Sequence, residues 1–318
     1  LMSRLFAGIE IGGTKQQIAI ADESGKIVKL VTGKIPIPNG APDILNWIET
    51  NLTALLREYP MVGALGVGFG GPIETATGRV LLSVQVKGWM DFELKTWFHE
   101  KFSLPTTVVN DTVAGGYAEL MNGAGRGFHN FYYTNIGTGI GGAMFIGRKT
   151  FDGIGYGGVY MGNTYVADYT GSAGSVCRLE ELCSGTGIEA QLRKPGAVNS
   201  DSILFEMCGG DTSKLNCAML GKAANAGDET ALRHIDNFAR TYGITIANFI
   251  SLFSPERVAI GGGVANLGET ILSPVRKYVE QYVFASAKNK YDIVQCEIMD
   301  ENVLVGAVLY ARDGFHAI

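Results

Sequence analysis

Charge is sparse in this 318-residue chain: 18% of its residues are charged, acidic ones outnumber basic ones, and the formal net charge is −5 with a pI near 5.5. A sequence-independent hold on DNA or RNA needs a net basic face, so nucleic acid is not an expected partner. Long apolar runs are missing as well. None approaches the roughly 18 residues of a membrane span, and the N-terminus has no basic region followed by an apolar one. No membrane partner is expected, and the chain is placed in the cytoplasm. Cysteine is scarce: Cys177, Cys183, Cys208, Cys217 and Cys296 form no CxxC pair, and an odd number suits a disulfide framework badly. Reduced, mostly buried thiols are the expectation. The four histidines, His99, His129, His234 and His316, show no ligand spacing such as HExxH, so surface or core packing is their default. GxxxxGK[ST] is absent, which excludes a P-loop.

What the chain has in quantity is apolar residues, at 46%, and 44 glycines. It is long enough for a sizeable core, and its length favours about two domains. Strand and helix patterns alternate throughout without a long linker, which is an α/β arrangement. Residues 5 to 11 and 16 to 21 read as strands around the turn IGGTK, and ESGK turns the chain into a third strand at 27 to 31. Residues 41 to 58 place Ile44, Ile48, Leu52, Leu55 and Leu56 on one helical face, with Pro42 and Asp43 in the first turn. A buried strand, GALGVGFGG, follows at 63 to 71. Later, 229 to 253 reads as a long helix carrying Leu232, Ile235, Phe238, Tyr242, Ile246, Phe249 and Phe253, ended by Ser254-Pro255 and followed by the strand RVAIGGG at 257 to 263.

Two of the glycine runs rhyme. GIEIGGTKQQIAIADESGKIV at 8 to 28 and TNIGTGIGGAMFIGRKTFDG at 134 to 153 both place a glycine turn between short apolar strands. Each later leads to a helix and to a strand running into glycines, as two similar domains would. Glycine turns let a ligand approach the backbone, and their successive N–H groups suit phosphate oxygens. Gly137, Gly139 and Gly142 also satisfy GxGxxG, the dinucleotide-binding pattern. That mechanism needs a helix directly after the glycines, whereas AMFI then GRKTFDG reads as a strand and a tight turn. Plain turn geometry would account for one such hairpin. Two of them, together with GGGV at 261 to 264, favour phosphate binding.

The other chemical signal is VVNDTVAGGYAELMNG at 108 to 123, where a strand ends at Val109 and a helix starts near Asp111 or Thr112 and stops near Gly123. Asn110, Asp111 or Thr112 could simply cap that helix. The alternative is that Asp111 is a general base, kept ionised with help from the helix dipole. Gly115 and Gly116 would otherwise weaken the helix, which suggests close backbone packing near this junction.

Taken in order, GIEIGGTK, GVGFGGPIETATGRV, KGWMDFEL, LPTTVVNDTVAGGYAE, NIGTGIGGAMFIGRK, LEELCSGTGIE and VAIGGGVANLG resemble the ROK family of sugar kinases and repressors across nearly the whole chain. The resemblance implies the actin-like ATPase (ribonuclease H-like) fold: two similar α/β domains around a central cleft that takes a sugar and ATP with Mg²⁺. It implies an N-terminal domain of residues 1–111 plus a returning helix at 303–318, and a larger domain of 112–302. Gly12, Gly13, Thr14 and Lys15 correspond to the first phosphate turn, Gly137, Thr138 and Gly139 to the second, and Gly262 and Gly263 to the segment bordering the adenosine. Asp111 matches the family's base, which accepts the proton of the attacking sugar hydroxyl. Asn110, Gly70 and Gly71 match the sugar site. Glu10 stands where most members have an aspartate near metal and phosphates, and would act on Mg²⁺ through a bound water. A homodimer is also implied.

The departures fall on one stretch. The family's ExGH motif is YMGN here, with Tyr160 for the glutamate and Asn163 for the histidine, and its CxCGxxGCxE run is GSAGSVCRLEELCSG. Aligning Glu180 with the family's glutamate leaves Cys177 one position early and no other cysteine in the cluster. A four-ligand zinc site cannot be assembled from these residues, so no zinc is expected. Tyr160, Asn163 and Glu180 remain as candidates to bind the sugar, with altered reach and charge. The expected activity is therefore an ATP-dependent sugar kinase. The alternative is a sugar sensor or catalytically weak regulator without its own DNA-binding domain, since Ile9 to Ile11 already read as first strand.

Overall fold

The computed structural model describes residues 4–13, 15–34, 38–83, 86–170 and 174–316. In chain order the elements are β1 (Leu5–Ile11), β2 (Gln16–Asp22), β3 (Ile27–Gly33), α1 (Ala41–Glu58), β4 (Val62–Phe69), β5 (Ile73–Glu74), β6 (Arg79–Val80), α2 (Leu94–Phe102), β7 (Thr106–Asn110), α3 (Asp111–Asn122), β8 (Phe131–Ile136), β9 (Ile140–Ile146) and β10 (Lys149–Thr150). They continue with β11 (Tyr165–Ala167), β12 (Val176–Arg178), α4 (Leu179–Cys183), α5 (Gly185–Leu192), α6 (Ile203–Met207), α7 (Cys217–Asn225), α8 (Glu229–Phe253), β13 (Arg257–Gly261), α9 (Glu269–Tyr282), β14 (Asp292–Gln295) and α10 (Asn302–Asp313). Two compact units result, one of 1–129, 143–159 and 297–318, the other of 130–142 and 160–296. The division thus falls after His129, where the resemblance placed it after 111, and the segment 143–159 also belongs to the first unit.

The first unit is built on the sheet β3-β2-β1-β4-β7. β1 runs antiparallel to β2 and parallel to β4, which in turn runs parallel to β7. Ile11 lies opposite Phe69, and Phe69 opposite Asn110, so three strands end at one level. The residues that follow, Gly12, Gly70 and Asp111, emerge at the carboxyl edge of parallel strands, where α/β sheets bind ligands. β4 stops at Phe69, two residues short of the strand read from the sequence, because Gly70 and Gly71 turn out of the sheet.

α1 covers this sheet as its periodicity predicts: Ile44, Ile48 and Leu52 are wholly buried, Leu55 nearly so, and Leu56 packs at the margin. Pro42 starts it, and the Asp43 carboxylate accepts from the Asn39 backbone N–H at 2.9 Å. On α10 and α3 small residues do the packing. A Cβ at Gly306 would stand 1.7 Å from the Ala114 carbonyl oxygen, and one at Gly66 1.8 Å from that of Ala307. No side chain fits either contact, so glycine is what lets α10 lie against α3 and β4. α10 itself covers Asn302–Asp313, shorter than the 303–318 read from the resemblance.

The second sheet has the order β10-β9-β8-β13-β14, with β13 parallel to both β8 and β14. Gly261 lies opposite Asn135. At Gly262 the chain takes φ +85°, and a Cβ there would fall 2.6 Å from the Ile136 carbonyl oxygen; β13 therefore ends at Gly261 rather than running on through 263. α8 buries Ile235, Phe238, Tyr242, Ile246 and Phe249 as read from the sequence, but Leu232 is 46% exposed and Phe253 only partly covered. Tyr132 stacks on Phe249 at 3.8 Å, and the Tyr242 hydroxyl lies 2.9 Å from that of Thr134. Asp228 caps α8 by accepting from the Ala231 N–H at 2.7 Å.

Candidate functional site

In the first unit the glycine turn after β1 is held by Gln16. Its carboxamide accepts from the Gly12 N–H at 3.1 Å and donates to the Gly12 carbonyl at 3.2 Å, and the residue is wholly buried. Gly12 and Gly13 line a small hollow with Gly70, Phe69 and Trp89, and the Gly70 N–H donates to the Ile11 carbonyl at 2.9 Å. Lys15 is exposed, and Thr14 lies outside the described residues. The structure therefore brings Gly12, Gly13 and Gly70 together as the strand register requires. Gln16 was not foreseen; a buried glutamine opening an otherwise apolar strand is the signal that could have found it.

Asn110 and Asp111 divide the work that the sequence left open. Asn110 is the N-cap of α3: its Oδ1 accepts from the Thr112 N–H at 2.9 Å and from Val113 at 3.4 Å, and its Nδ2 donates to the Gly71 carbonyl at 2.9 Å. The second amide hydrogen has no acceptor among the described residues. Asp111 shares in holding the helix start through one oxygen only: its Oδ1 accepts from the same Thr112 N–H at 2.8 Å and from the Thr112 hydroxyl at 3.3 Å. A methyl added at Gly70 would stand 3.4 Å from Asp111 Oδ2, which locates the carboxylate above the turn. Burial pushes the Asp111 carboxyl up to about 6, against the opposing pull of the Thr112 N–H and hydroxyl. The helix start was expected to keep it ionised, but desolvation is the larger effect. Glu10 is also raised by burial, with Lys15 pulling it down and Asp111 pushing it up, so the two carboxylates feel one another.

A loop unforeseen in the sequence borders the same place. The Thr75 hydroxyl donates to the Asp152 carboxylate, the Thr75 N–H donates to the Gly155 carbonyl at 3.1 Å, and Asp152 accepts from the Gly157 N–H at 2.9 Å. This fastens residues 152–157 beside Asn110, whose Cβ is 4.0 Å from the position of a Cβ on Gly157.

The second unit carries the other glycine turn. The Gly137 N–H donates to the Gly139 carbonyl at 3.0 Å, and the Gly185 N–H to the Gly137 carbonyl at 2.7 Å. The start of α5 therefore rests against the turn, with Ser184 as its cap accepting from the Gly187 N–H at 3.0 Å. Gly262 approaches from β13, a Cβ placed on it falling against Asn135 Oδ1, a buried oxygen without a hydrogen-bond partner among the described residues. Glu180 Oε2 lies 3.1 Å from a Cβ placed on Gly139. Arg178, not singled out from the sequence, gathers the rest. Its Nη1 is 3.1 Å from Glu180 Oε1 and donates a long bond of 3.4 Å to Asn163 Oδ1, while its Nε donates to Glu181 at 2.9 Å. Tyr160, half-buried, heads a short 3₁₀ turn over Met161–Asn163 through its carbonyl, which accepts from the Asn163 N–H at 3.0 Å. Glu10, Gly70, Gly71, Asn110 and Asp111 thus belong to the first unit, and Gly137, Thr138, Gly139, Tyr160, Asn163, Glu180, Gly262 and Gly263 to the second.

No disulfide joins the cysteines among the described residues, and burial raises the Cys217 thiol to about 11. Among the described residues no group of three or more His, Cys, Asp or Glu could hold a metal ion, and no helix is long and apolar enough to cross a membrane.

These features agree with known proteins. A glucokinase of Halalkalibacterium halodurans is 30% identical over 293 residues, covering 89% of this chain and 87% of its own. A xylose repressor of Caldicellulosiruptor bescii is 26% identical over 95% of this chain and 76% of the repressor. The crystal structure of a ROK family glucokinase from Streptomyces griseus in complex with glucose and AMPPNP matches with a TM-score of 0.80 at 27% identity, over 98% of this chain and 100% of that one. The two-sheet α/β architecture is accordingly that of the actin-like ATPase fold. With the ROK family model matching residues 6–314, the chain belongs to the ROK family.

Proposed function

We propose that this protein is an ATP-dependent sugar kinase, which moves the γ-phosphate of ATP to a hydroxyl of a hexose or related sugar with Asp111 as general base. Its likeness to glucokinases supports a sugar kinase in general. The observation that carries the finer reading is Asp111 itself: Oδ1 is held by Thr112, Oδ2 lies beside the Gly70 turn next to Gly12, and burial raises the carboxyl to about 6. Such a carboxylate is ionised at neutral pH yet basic enough to take a hydroxyl proton.

Phosphoryl transfer asks little covalent chemistry of a protein, so placement and charge neutralisation carry it. The turns at Gly12–Gly13 and Gly137–Gly139 offer backbone N–H groups for phosphate oxygens, and the start of α5 supports the second. By the family resemblance, Gly262 and Gly263 would serve the adenosine, and the sugar would take hydrogen bonds from Asn110 and Gly71 of the first unit and from Tyr160, Asn163 and Glu180 of the second. Glu10 would hold magnesium: its carboxylate is desolvated and close enough to Asp111 for the two to repel, Lys15 offsets this only in part, and that ion is held by one or two carboxylates together with substrate phosphates. When bound, magnesium supplies charge neutralisation at the transferred group.

The likeness to a xylose repressor and the changes at Tyr160 and Asn163 give the second reading, a sugar sensor without catalysis. An ATPase and phosphorylation assay across hexoses, hexosamines, pentoses and polyols decides between them. Sugar-dependent ADP release supports the kinase; sugar binding without turnover supports the sensor and overturns the kinase.

A further inference from the structure

The hairpin of β11 and β12 brings two of the proposed sugar-binding residues to one place. Tyr165 lies opposite Arg178, and the Leu179 N–H donates to the Thr164 carbonyl at 2.9 Å. Asn163 and Glu180 therefore flank the base of the hairpin, and Arg178 stands between them. Its guanidinium is always charged and has only donors, so the end of the Asn163 amide that faces it must be the carbonyl. The NH₂ end is left to face elsewhere. Glu180 is held in the same way: Oε1 meets Nη1 at 3.1 Å, while Oε2 is the oxygen near the Gly139 turn. Nη1 is shared by Asn163 and Glu180, and Nε is tied to Glu181 at 2.9 Å, which stops the fork from turning. Stability is a poor reason for this cluster, because the Arg178 and Glu181 side chains are 42% and 47% exposed and such pairs contribute little.

We propose that Arg178 is a positioning residue of the sugar site, holding Asn163 and Glu180 as one array that offers an amide N–H and a carboxylate oxygen to adjacent hydroxyls of a polyol. The proposal rests on the sugar-kinase reading and adds a substrate class to it: a sugar with two neighbouring free hydroxyls, one accepting from Asn163, one donating to Glu180. A site of this kind rejects analogues that lack either hydroxyl, since its own polar groups are then left unpaired.

The test compares the wild type with Arg178→Met and Arg178→Lys on the sugar that the panel finds best and on its deoxy analogues, with AMPPNP affinity measured by calorimetry. In Arg178→Met the sugar KM should rise about tenfold or more, and discrimination against the deoxy analogues should fall by a similar factor, while AMPPNP affinity stays within about twofold. Arg178→Lys should lie between, because a point charge cannot serve three acceptors in a fixed fork. An unchanged sugar KM and discrimination in Arg178→Met would overturn the proposal. So would a parallel loss of AMPPNP affinity and thermal midpoint, which would mark a fold-supporting residue only. If the wild type phosphorylates no sugar, the kinase reading falls and the comparison moves to sugar binding by calorimetry. There, weaker binding by Arg178→Met still supports the positioning role, and absence of binding in the wild type overturns it.

Discussion

On the proposed reading, Asp111 concentrates the chemistry of the molecule at a single residue. Because burial raises its carboxyl to about 6, kcat/KM for sugar phosphorylation should fall as pH drops below about 6 and level off above it, since the base must be ionised to accept a proton. A profile flat from pH 5 to 8 would contradict this assignment. Replacement by asparagine should lower turnover by several orders of magnitude while leaving AMPPNP affinity nearly unchanged; retained turnover would leave the residue without a catalytic role. The same shift makes a statement about stability. The folded-state value is above the ordinary 3.8, so the folded protein holds this proton more tightly than the unfolded chain, and stability falls as pH rises from about 4 to about 6. At pH 7.5 Asp111→Asn should therefore be more stable than the wild type, by on the order of 2 kcal/mol, with the gap narrowing at pH 5. Urea denaturation at both values measures it, and a destabilised mutant at pH 7.5 would show that the carboxylate is held by more than Thr112.

At the scale of elements, aligned strand ends and glycine contacts place the groups that matter. Gly139→Val should weaken AMPPNP binding about tenfold or more, because a branched side chain would enter the space between the turn and Glu180 Oε2. Unchanged affinity in calorimetry would remove the second turn from the phosphate site. Gly306→Ala should cost about 3 kcal/mol, near the upper end for overpacking, since the obstacle is the Ala114 backbone carbonyl, which cannot rotate aside. An unaltered urea midpoint would mean that α10 shifts freely. Much of this scale was legible in the sequence. β1, β2 and the helices at 41–58 and 229–253 announce themselves by local periodicity and caps, and the junction at Asn110-Asp111 by a strand pattern giving way to a helical one. What was not legible depends on partners far apart in the chain. Nothing near Asp152 signals its bond to Thr75, and nothing near Glu119 shows that this wholly buried carboxylate accepts the N–H groups of Ala124, Glu297 and Ile298. Arg178 was overlooked for a related reason. Its significance comes from Asn163, fifteen residues earlier, which the hairpin brings to it.

For the whole molecule the question is whether the second unit needs a metal to keep its shape. Family resemblance places a histidine at Asn163 and the last cysteine of the zinc run at Arg178, so two ligand positions now hold an amide and a cation. A guanidinium at that point repels a divalent ion and is instead satisfied by Glu180 and Glu181. Cys177 is nearby in sequence, but burial first, then Asp168 and Glu181, raise its thiol, which disfavours the thiolate that zinc requires. Cys183 is fully buried and raised further. The hairpin is held by its own ladder from Tyr165–Arg178 to Ala167–Val176 and by the Arg178 cluster. Purified protein should accordingly contain no stoichiometric zinc by elemental analysis, and EDTA should leave its thermal midpoint and its sugar KM unchanged once magnesium is restored. One zinc per chain surviving dialysis, together with a lower midpoint after chelation, would overturn this account, because a metal would then be organising the loop that Arg178 is argued to hold.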